Sequence, residues 1–280
     1  YPELCHPATL GFPALVRRAA AQGSWVHVPS EMVAGEVVEL LGVDAERVRT
    51  VHHGVPTLPE DERPDRLSGE ALPEDERPDR LWGDPLPGES RPEELPGWVE
   101  RYVLALGTVE PRKDLPSLVR AFGELAAARR GLALVIAGPD GWGSARLEQA
   151  IAEAPCPQRV VRLGWVQPAA RRRLLAGAAV FGYPSVYEGF GFPPLEAMAA
   201  GVPVVATRAG SLPEVLGDGA CLVEVGDVDS LAAALAGLLD DESAARSARE
   251  RGWERTRRFC WRGCSEGLAL LYRDAVAGAA

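Results

Sequence analysis

Lysine, asparagine and paired cysteines are scarce or missing in this chain. Asparagine is absent, and only one of the 30 Lys+Arg residues is a lysine, Lys113. The five cysteines form no Cys-x-x-Cys pair, and an odd count in a chain of 280 residues indicates reduced thiols, as in the cytoplasm. No apolar run approaches the ~18 residues of a membrane span, and we expect no signal peptide before Tyr1. We therefore expect a cytoplasmic location, with the inner face of the membrane as the alternative.

An excess of positive charge is missing as well. The formal net charge is −10, which argues against nucleic acid as a partner. Residues 58–97 carry most of this negative net charge, with 13 acids and 5 arginines. Within this segment residues 58–67 recur letter for letter at 72–81, and a degraded copy follows at 86–95. The segment also holds 8 of the 24 prolines, so we predict a disordered acidic linker. A docking segment for a basic partner is the less favoured alternative, because charge runs are usually solvated.

Apolar strands alternate with amphipathic helices after this segment. The predicted strands are 102–106, 132–137, 160–163, 180–183, 202–206 and 220–223. This alternation indicates a parallel doubly wound sheet, whose ligands bind beyond the carboxyl ends of the strands. The loops at that edge are 107–113, 138–143, 164–166 and 185–192. Residues 14–52, before the acidic segment, predict one small α/β segment that is too short for a well-stabilised domain.

Two glutamates lie eight residues apart at one of these edge loops. Glu188 belongs to a glycine-aromatic turn, and Glu196 belongs to the helix that the turn opens. Pro193 and Pro194 occupy helix positions where a missing N–H costs nothing, and the exposed N–H groups of a helix start favour an anion. Both acids can therefore face one bound ligand from different directions.

Each candidate residue also has a purely structural interpretation. The two glutamates could be a solvated loop acid and a helix-start acid, and Lys113 could be a surface residue with Asp114 capping the next helix. The sequence Asp227-Val-Asp229 imitates a metal-binding D-x-D motif, but it precedes a strong helix and is better explained as an N-cap. Residues 138–143 lack the glycine spacing of a dinucleotide loop, which disfavours a nicotinamide-dependent oxidoreductase.

Four motifs, in this order along the chain, resemble retaining glycosyltransferases of family 4 (glycosyl transferase group 1, GT-B fold). Residues 51–55 (VHHGV) resemble the segment that ends their N-terminal domain, and residues 105–113 (ALGTVEPRK) resemble their phosphate loop. Residues 180–205 contain the E-x7-E signature, and residues 210–217 (GSLPEVLG) match as well. Several motifs in the right order are far more specific than one short pattern.

The resemblance implies a GT-B-like α/β fold with a doubly wound, parallel-sheet, Rossmann-like C-terminal domain and a truncated N-terminal α/β domain. Residues 1–57 would be the remnant of the N-terminal, acceptor-side domain, and 58–97 the acidic Pro-rich linker. Residues 98–258 would form the nucleotide-sugar (donor) domain, and the helix in 259–280 would pack back toward the N-terminal part. Tyr1 resembles a point well inside the family's N-terminal domain, so we expect the start of that domain to be missing.

The implied activity is transfer of a mannose- or glucose-like sugar from a nucleoside diphosphate sugar to a hydroxyl acceptor, with retention. The acceptor would be a carbohydrate, a lipid-linked molecule or another hydroxyl compound, with peripheral membrane association allowed and no nucleic acid. No cofactor and no metal are expected, since cationic side chains and a helix start would take the place of the metal. The alternative is a catalytically incompetent fragment or a nucleotide-sugar-binding module, because the N-terminal domain is incomplete.

The resemblance also implies a role for individual residues. Glu196 would accept hydrogen bonds from the ribose, since one carboxylate suits a vicinal diol. Glu188 would contact the donor sugar, while Arg112 and Lys113 would hold the diphosphate and neutralise its charge as it leaves. These last three are the predicted catalytic residues. The predicted donor-binding set is Gly107, Thr108, Arg112, Lys113, Trp165, Val166, Glu188, Gly189, Phe190, Gly191, Phe192, Leu195 and Glu196. Thr108 stands where many relatives have arginine, and Arg112 is expected to supply that charge.

Overall fold

The computed structural model describes residues 4–55 and 92–277. Most of the predicted acidic linker, including both full copies of the repeat, lies outside the described residues. Its last six residues, 92–97, are described: Leu95 is only 3% exposed within the apolar core, and Glu94 pairs with Arg173 at 2.6 Å. Leu95 and Glu94 therefore contact the C-terminal part of the described chain.

Two parallel sheets organise the described residues. A two-stranded sheet pairs β1 with β2, and a six-stranded sheet has the order β5-β4-β3-β6-β7-β8, with every neighbouring pair parallel. The strands are β1 (Val26–Val28), β2 (Val48–Thr50), β3 (Arg101–Leu106), β4 (Leu132–Ala137), β5 (Val160–Gly164), β6 (Val180–Tyr183), β7 (Val204–Thr207) and β8 (Ala220–Val223). The predicted parallel α/β architecture is thus confirmed.

Ten α-helices connect and cover these strands in the described part of the chain. They are α1 (Phe12–Ala21), α2 (Glu31–Leu41), α3 (Leu115–Ala126), α4 (Ser144–Glu153), α5 (Pro168–Ala176), α6 (Phe192–Ala199), α7 (Leu212–Leu216), α8 (Val228–Asp240), α9 (Glu242–Thr256) and α10 (Trp261–Ala277). Asp227 accepts a hydrogen bond from the backbone N–H of Ser230 at 2.9 Å and so caps α8, which confirms the capping interpretation of the Asp-Val-Asp sequence. In the described ranges, none of the helices combines the length and apolar character that a membrane span needs.

The four central strands of the six-stranded sheet are buried on both faces. Successive residues of β3 point to opposite sides, so Leu104 belongs to one apolar cluster and Val103 to the other, and both are fully buried. Strands covered on both faces read as continuous apolar runs rather than as alternating ones. This is why their positions were recognisable in the sequence.

The strand order creates a crevice between β3 and β6. From β3 the chain moves outward through β4 to β5, and it then returns to the other side of β3 to form β6. The loops after β3 and β6 leave the sheet in opposite directions, and ligands of doubly wound sheets bind in the gap that results. The two bordering loops are residues 107–113 and residues 184–191, which we name the β3 loop and the Glu188 loop.

The N-terminal segment is attached to the large sheet through polar and backbone contacts. Glu214 of α7 accepts hydrogen bonds from the backbone N–H groups of Glu31 (2.9 Å) and Met32 (3.0 Å), at the start of α2. The same carboxylate lies 3.0 Å from Nε2 of His52. At the other end, the Val55 N–H donates to the Phe259 carbonyl at 2.8 Å, just before α10. Helix α10 therefore begins beside the end of the N-terminal segment.

Candidate active site

Lys113 ends a short 3-10 turn, Pro111–Lys113, that follows β3, and it points inward. The residue is only 7% exposed. Its Nζ donates to Oε1 of Glu188 at 2.6 Å and also contacts the hydroxyl of Tyr183. The one lysine of the chain is thus a buried cation at the crevice, and the interpretation of Lys113 as a surface residue is wrong.

Glu188 is held through a single oxygen. Its side chain is 9% exposed, so it is not a solvated loop acid. Oε1 accepts hydrogen bonds from Arg112 (2.7 Å), Lys113 (2.6 Å), the Tyr183 hydroxyl (2.8 Å) and the Ser185 hydroxyl (3.0 Å). Within residues 4–55 and 92–277, Oε2 of Glu188 accepts no hydrogen bond. One oxygen therefore fixes the carboxylate, and the other remains available to a ligand.

Two acids surround the Arg112 guanidinium. Its NH1 group donates to Glu188, and its Nε lies 2.7 Å from Oε2 of Glu110. Burial by itself would lower the pKa of Arg112, but the Glu188 and Glu110 carboxylates outweigh that effect and raise it. Arg112 therefore stays charged, and its remaining N–H groups can donate to an anion.

Burial lowers the pKa of the Lys113 ammonium from its ordinary value of 10.5, and the attraction of Glu188 offsets this only in part. Burial also raises the pKa of Tyr183 well above its ordinary value, with the Glu188 carboxylate adding to the effect. At alkaline pH the tyrosine consequently stays neutral while Lys113 is the group that loses its proton.

Binding of a nucleoside diphosphate is expected to weaken as the pH rises through the lowered pKa of Lys113. Only the protonated ammonium attracts the phosphates, so the loss begins below the pH at which an ordinary lysine titrates. Calorimetric titrations from neutral pH to about pH 10 would measure this. In the variant Lys113→Arg the loss should move to higher pH, because a guanidinium keeps its proton. Identical pH profiles for the two proteins would exclude Lys113 as the titrating group.

The Glu188 loop is fixed by backbone contacts from both sides of the crevice. The Val186 N–H donates to the Arg112 carbonyl at 2.8 Å, which ties this loop to the β3 loop. On the other side, the carbonyl of Glu188 accepts from the N–H and the hydroxyl of Ser211 at 2.9 and 3.0 Å. Gly210 lies so close that a Cβ there would stand 2.3 Å from the Glu188 carbonyl oxygen. Gly210 and Ser211, the first two residues of the motif 210–217, therefore support the position of Glu188.

Glu196 lies in α6, which starts after Gly191 in the left-handed conformation (φ 94°). Its Oε2 pairs with the NH2 group of Arg171, a residue of the neighbouring helix α5. Among the described residues, Oε1 of Glu196 accepts no hydrogen bond. Arg171 was not among the predicted site residues, because an arginine carries little signal in a chain that uses arginine for nearly every cation.

The structure also shows where the other predicted residues lie. Trp165 is 63% exposed after β5, and Val166 is half-buried beside it. Phe190 is 5% exposed and packs edge-to-face against His53 and Phe192. Leu195 is fully buried, so its side chain belongs to the core and does not face the crevice.

The remaining predicted positions are glycines and one threonine. Gly107 has φ 136°, a backbone conformation that favours glycine, and a Cβ at that position would lie at ordinary contact distance, 3.5 Å, from Cε of Lys113. Thr108 is half-buried in the same loop, and the carbonyl of Gly189 accepts a hydrogen bond from the Ser30 hydroxyl at 2.9 Å. Tyr183 and Ser185 donate hydrogen bonds to Oε1 of Glu188, and sequence reasoning missed both residues. Their only signal was position, because Tyr183 ends the apolar strand β6 and Ser185 follows that strand in an edge loop.

No group of three or more His, Cys, Asp or Glu side chains that could hold a metal occurs among the residues with described positions. Metal independence stays a prediction.

A doubly wound parallel sheet has a crevice at its switch point where ligands of such folds bind, and in this chain two cations and an anchored carboxylate border that crevice. Residues 89–255 match the family model of Glycosyl transferases group 1. The chain belongs to this family.

Individual relatives agree with this assignment. O-antigen chain mannosyltransferase B of Escherichia coli is 37% identical over 173 residues, which are 61% of this chain and 45% of that protein. The chain thus spans less than half of this relative's length. Sucrose-phosphate synthase of Thermosynechococcus elongatus superposes with a TM-score of 0.68 at 25% identity, covering 90% of this chain and 58% of the other. HepE of Anabaena, in complex with UDP and glucose, superposes with a TM-score of 0.72 at 19% identity. The superposition covers 98% of this chain and 69% of HepE. These structural neighbours are GT-B glycosyltransferases, which confirms the predicted fold class.

Proposed function

We propose that this chain carries the donor site of a retaining glycosyltransferase of family 4. The reaction would transfer a mannose- or glucose-like sugar from a nucleoside diphosphate sugar to a hydroxyl of a carbohydrate, a lipid-linked molecule or another acceptor. The observation that carries the proposal is the convergence of Arg112 and Lys113 on the buried Glu188 at the switch point of the sheet. The mannosyltransferase relative and the complex of HepE with UDP and glucose support this choice of donor.

Arg112 and Lys113 would stabilise the leaving diphosphate. The ammonium of Lys113 has three protons, and its contacts with Glu188 and Tyr183 use two of them. The third can point to a phosphate oxygen, as can the N–H groups of Arg112 that no carboxylate occupies. Because these cations are held in place before the reaction, they need little rearrangement as negative charge develops on the leaving group.

The two glutamates would orient the donor from opposite ends. Oε2 of Glu188, which the protein leaves open, would accept a hydroxyl of the sugar beside the phosphates. Oε1 of Glu196 would accept a hydroxyl of the ribose, and the base would lie over the exposed Trp165 near Val166. Retention follows from the resemblance to family 4, and we place the reaction in the cytoplasm without a metal.

Calorimetry with UDP, GDP and ADP tests the donor site. We expect one of these nucleotides to bind, and we expect Glu196→Ala and Arg112→Met each to weaken that binding about 10-fold or more, since a hydrogen bond to a charged group contributes about 1.5–3 kcal/mol. Arg129→Met is the matched control, because Arg129 pairs with Asp240 through a contact away from the crevice, 3.0 Å from Nε to Oδ1.

The outcomes separate the possible functions. If none of the nucleotides binds to the folded chain, or if both site variants bind like the control, the donor site is refuted. If a nucleotide binds and its sugar conjugate is turned over with a hydroxyl acceptor, transferase activity is established. Binding without turnover would instead identify a nucleotide-sugar-binding module.

A further inference from the structure

Arg171 and Glu196 form an ion pair between neighbouring helices at the edge of the crevice. The two side chains are 31% and 19% exposed, so water only partly screens the interaction. The NH2 group of Arg171 donates a hydrogen bond to Oε2 of Glu196. Among the described residues, no other group donates a hydrogen bond to the Glu196 side chain. The carboxylate is thus held on one side and open on the other.

The same arrangement occurs at Glu188. There, Arg112, Lys113, Tyr183 and Ser185 all donate to one oxygen, and the second oxygen accepts nothing within the described ranges. Each acid of the E-x7-E sequence therefore has a protein-bound oxygen and an open oxygen. A single arginine holds one oxygen of Glu196, whereas four donors hold one oxygen of Glu188.

We propose that Arg171 is a positioning residue that fixes the Glu196 carboxylate so that Oε1 alone meets the ribose hydroxyls. The proposal rests on the proposed function, in which Glu196 binds the ribose. A glutamate side chain loses conformational entropy when it is ordered. Arg171 orders it before the nucleotide arrives, so the hydroxyl contact is not weakened by that loss.

This role has a specific consequence for nucleotide selection. When the Glu196 carboxylate is fixed and the nucleotide lacks its 2′-hydroxyl, Oε1 loses its hydrogen-bond donor. The fixed carboxylate cannot rotate toward another donor. Without Arg171 the carboxylate is free to rotate toward solvent, and the penalty for the missing hydroxyl becomes smaller. Arg171 should therefore determine the preference for ribose over deoxyribose more than the overall affinity for the diphosphate.

The test compares two affinity ratios by calorimetry on the full chain. Both ratios use whichever of UDP, GDP and ADP binds. The ribose preference is the affinity for that nucleotide divided by the affinity for its 2′-deoxy form. The diphosphate preference is the affinity for that nucleotide divided by the affinity for its monophosphate. We expect a ribose preference of about 10-fold in the unmodified protein, which falls to about 2–3-fold in Arg171→Met. The diphosphate preference should stay unchanged, because Arg112 and Lys113 remain in place. A general loss of structure would lower both ratios together.

Control variants make the result decisive. Arg172→Met removes the same charge one position further along α5, where the Nε of Arg172 has no hydrogen-bond partner among the described residues, and it should keep the full ribose preference. Arg171→Lys should restore part of it, which also covers the case in which Arg171→Met fails to fold. A ribose preference that survives in Arg171→Met, or that is not restored at all by Arg171→Lys, would overturn the proposal. If Glu196→Ala keeps the preference, the ribose role of Glu196 itself fails, and with it the proposed function at this residue.

Discussion

Replacing Lys113 with methionine is expected to lower the free energy of unfolding by about 3 kcal/mol, the low end of the range for breaking a buried ion pair. The variant leaves the Glu188 carboxylate buried with one cation fewer, and Arg112 at 2.7 Å compensates only partly. It should also bind no nucleoside diphosphate at measurable strength, because the buried ammonium is gone. Urea denaturation and calorimetry measure the two effects separately.

A second substitution distinguishes lost charge balance from lost packing. In the double variant Lys113→Met with Glu188→Gln, no unbalanced carboxylate remains, so most of the stability should return although binding does not. Arg129→Met breaks the exposed pair with Asp240 and should cost less than about 1 kcal/mol. A double variant as unstable as Lys113→Met alone would show that the stability loss comes from packing.

Replacing Gly210 with alanine is expected to destabilise the protein by about 3 kcal/mol, from a left-handed backbone and an overpacked contact together. Gly210 has φ 53°, and an added Cβ would lie 2.3 Å from the Glu188 carbonyl oxygen and 2.9 Å from its nitrogen. The backbone of Glu188 must move to relieve this contact. The Glu188 carboxylate would move with its backbone, so we expect nucleotide affinity to fall about 10-fold, which corresponds to about 1.4 kcal/mol.

Gly226 provides the matched control for this substitution. It also has a left-handed backbone (φ 81°), but no atom lies within 4 Å of an added Cβ. Gly226→Ala should cost only the conformational energy, about 1 kcal/mol, and should leave nucleotide binding unchanged. If both variants lose the same stability and Gly210→Ala keeps its affinity, the contact with Glu188 does not position the site.

The agreement between predicted and observed elements follows from burial. The strands predicted at 132–137 and 180–183 have those bounds in the structure, since apolar runs covered on both faces are visible in sequence alone. The edge strand predicted at 220–223 also has those bounds. The strand predicted at 202–206 begins instead at Val204 and ends at Thr207. Pairing with a neighbouring strand, which sets such ends, is not written in the local sequence.

The candidate site was predicted where a residue was chemically unusual for this chain. Lys113 is its one lysine, and the spacing of Glu188 and Glu196 is a specific pattern. Arg171 and Ser185 had no such signal, because arginine and serine are ordinary in helices and loops. They become recognisable only as partners of the two glutamates, at positions 3 to 25 residues away along the chain.

The sequence by itself determined the α/β class, the approximate helices and strands, and the resemblance that led to the family. These properties depend on local apolar patterns and short motifs. Only the tertiary structure decided that β3 and β6 are neighbours, which brings Lys113 against Glu188 across 75 residues of chain. It also decided which oxygen of each glutamate is held and which is open. Strand order and side-chain partners arise from packing between distant segments, and no local pattern encodes them.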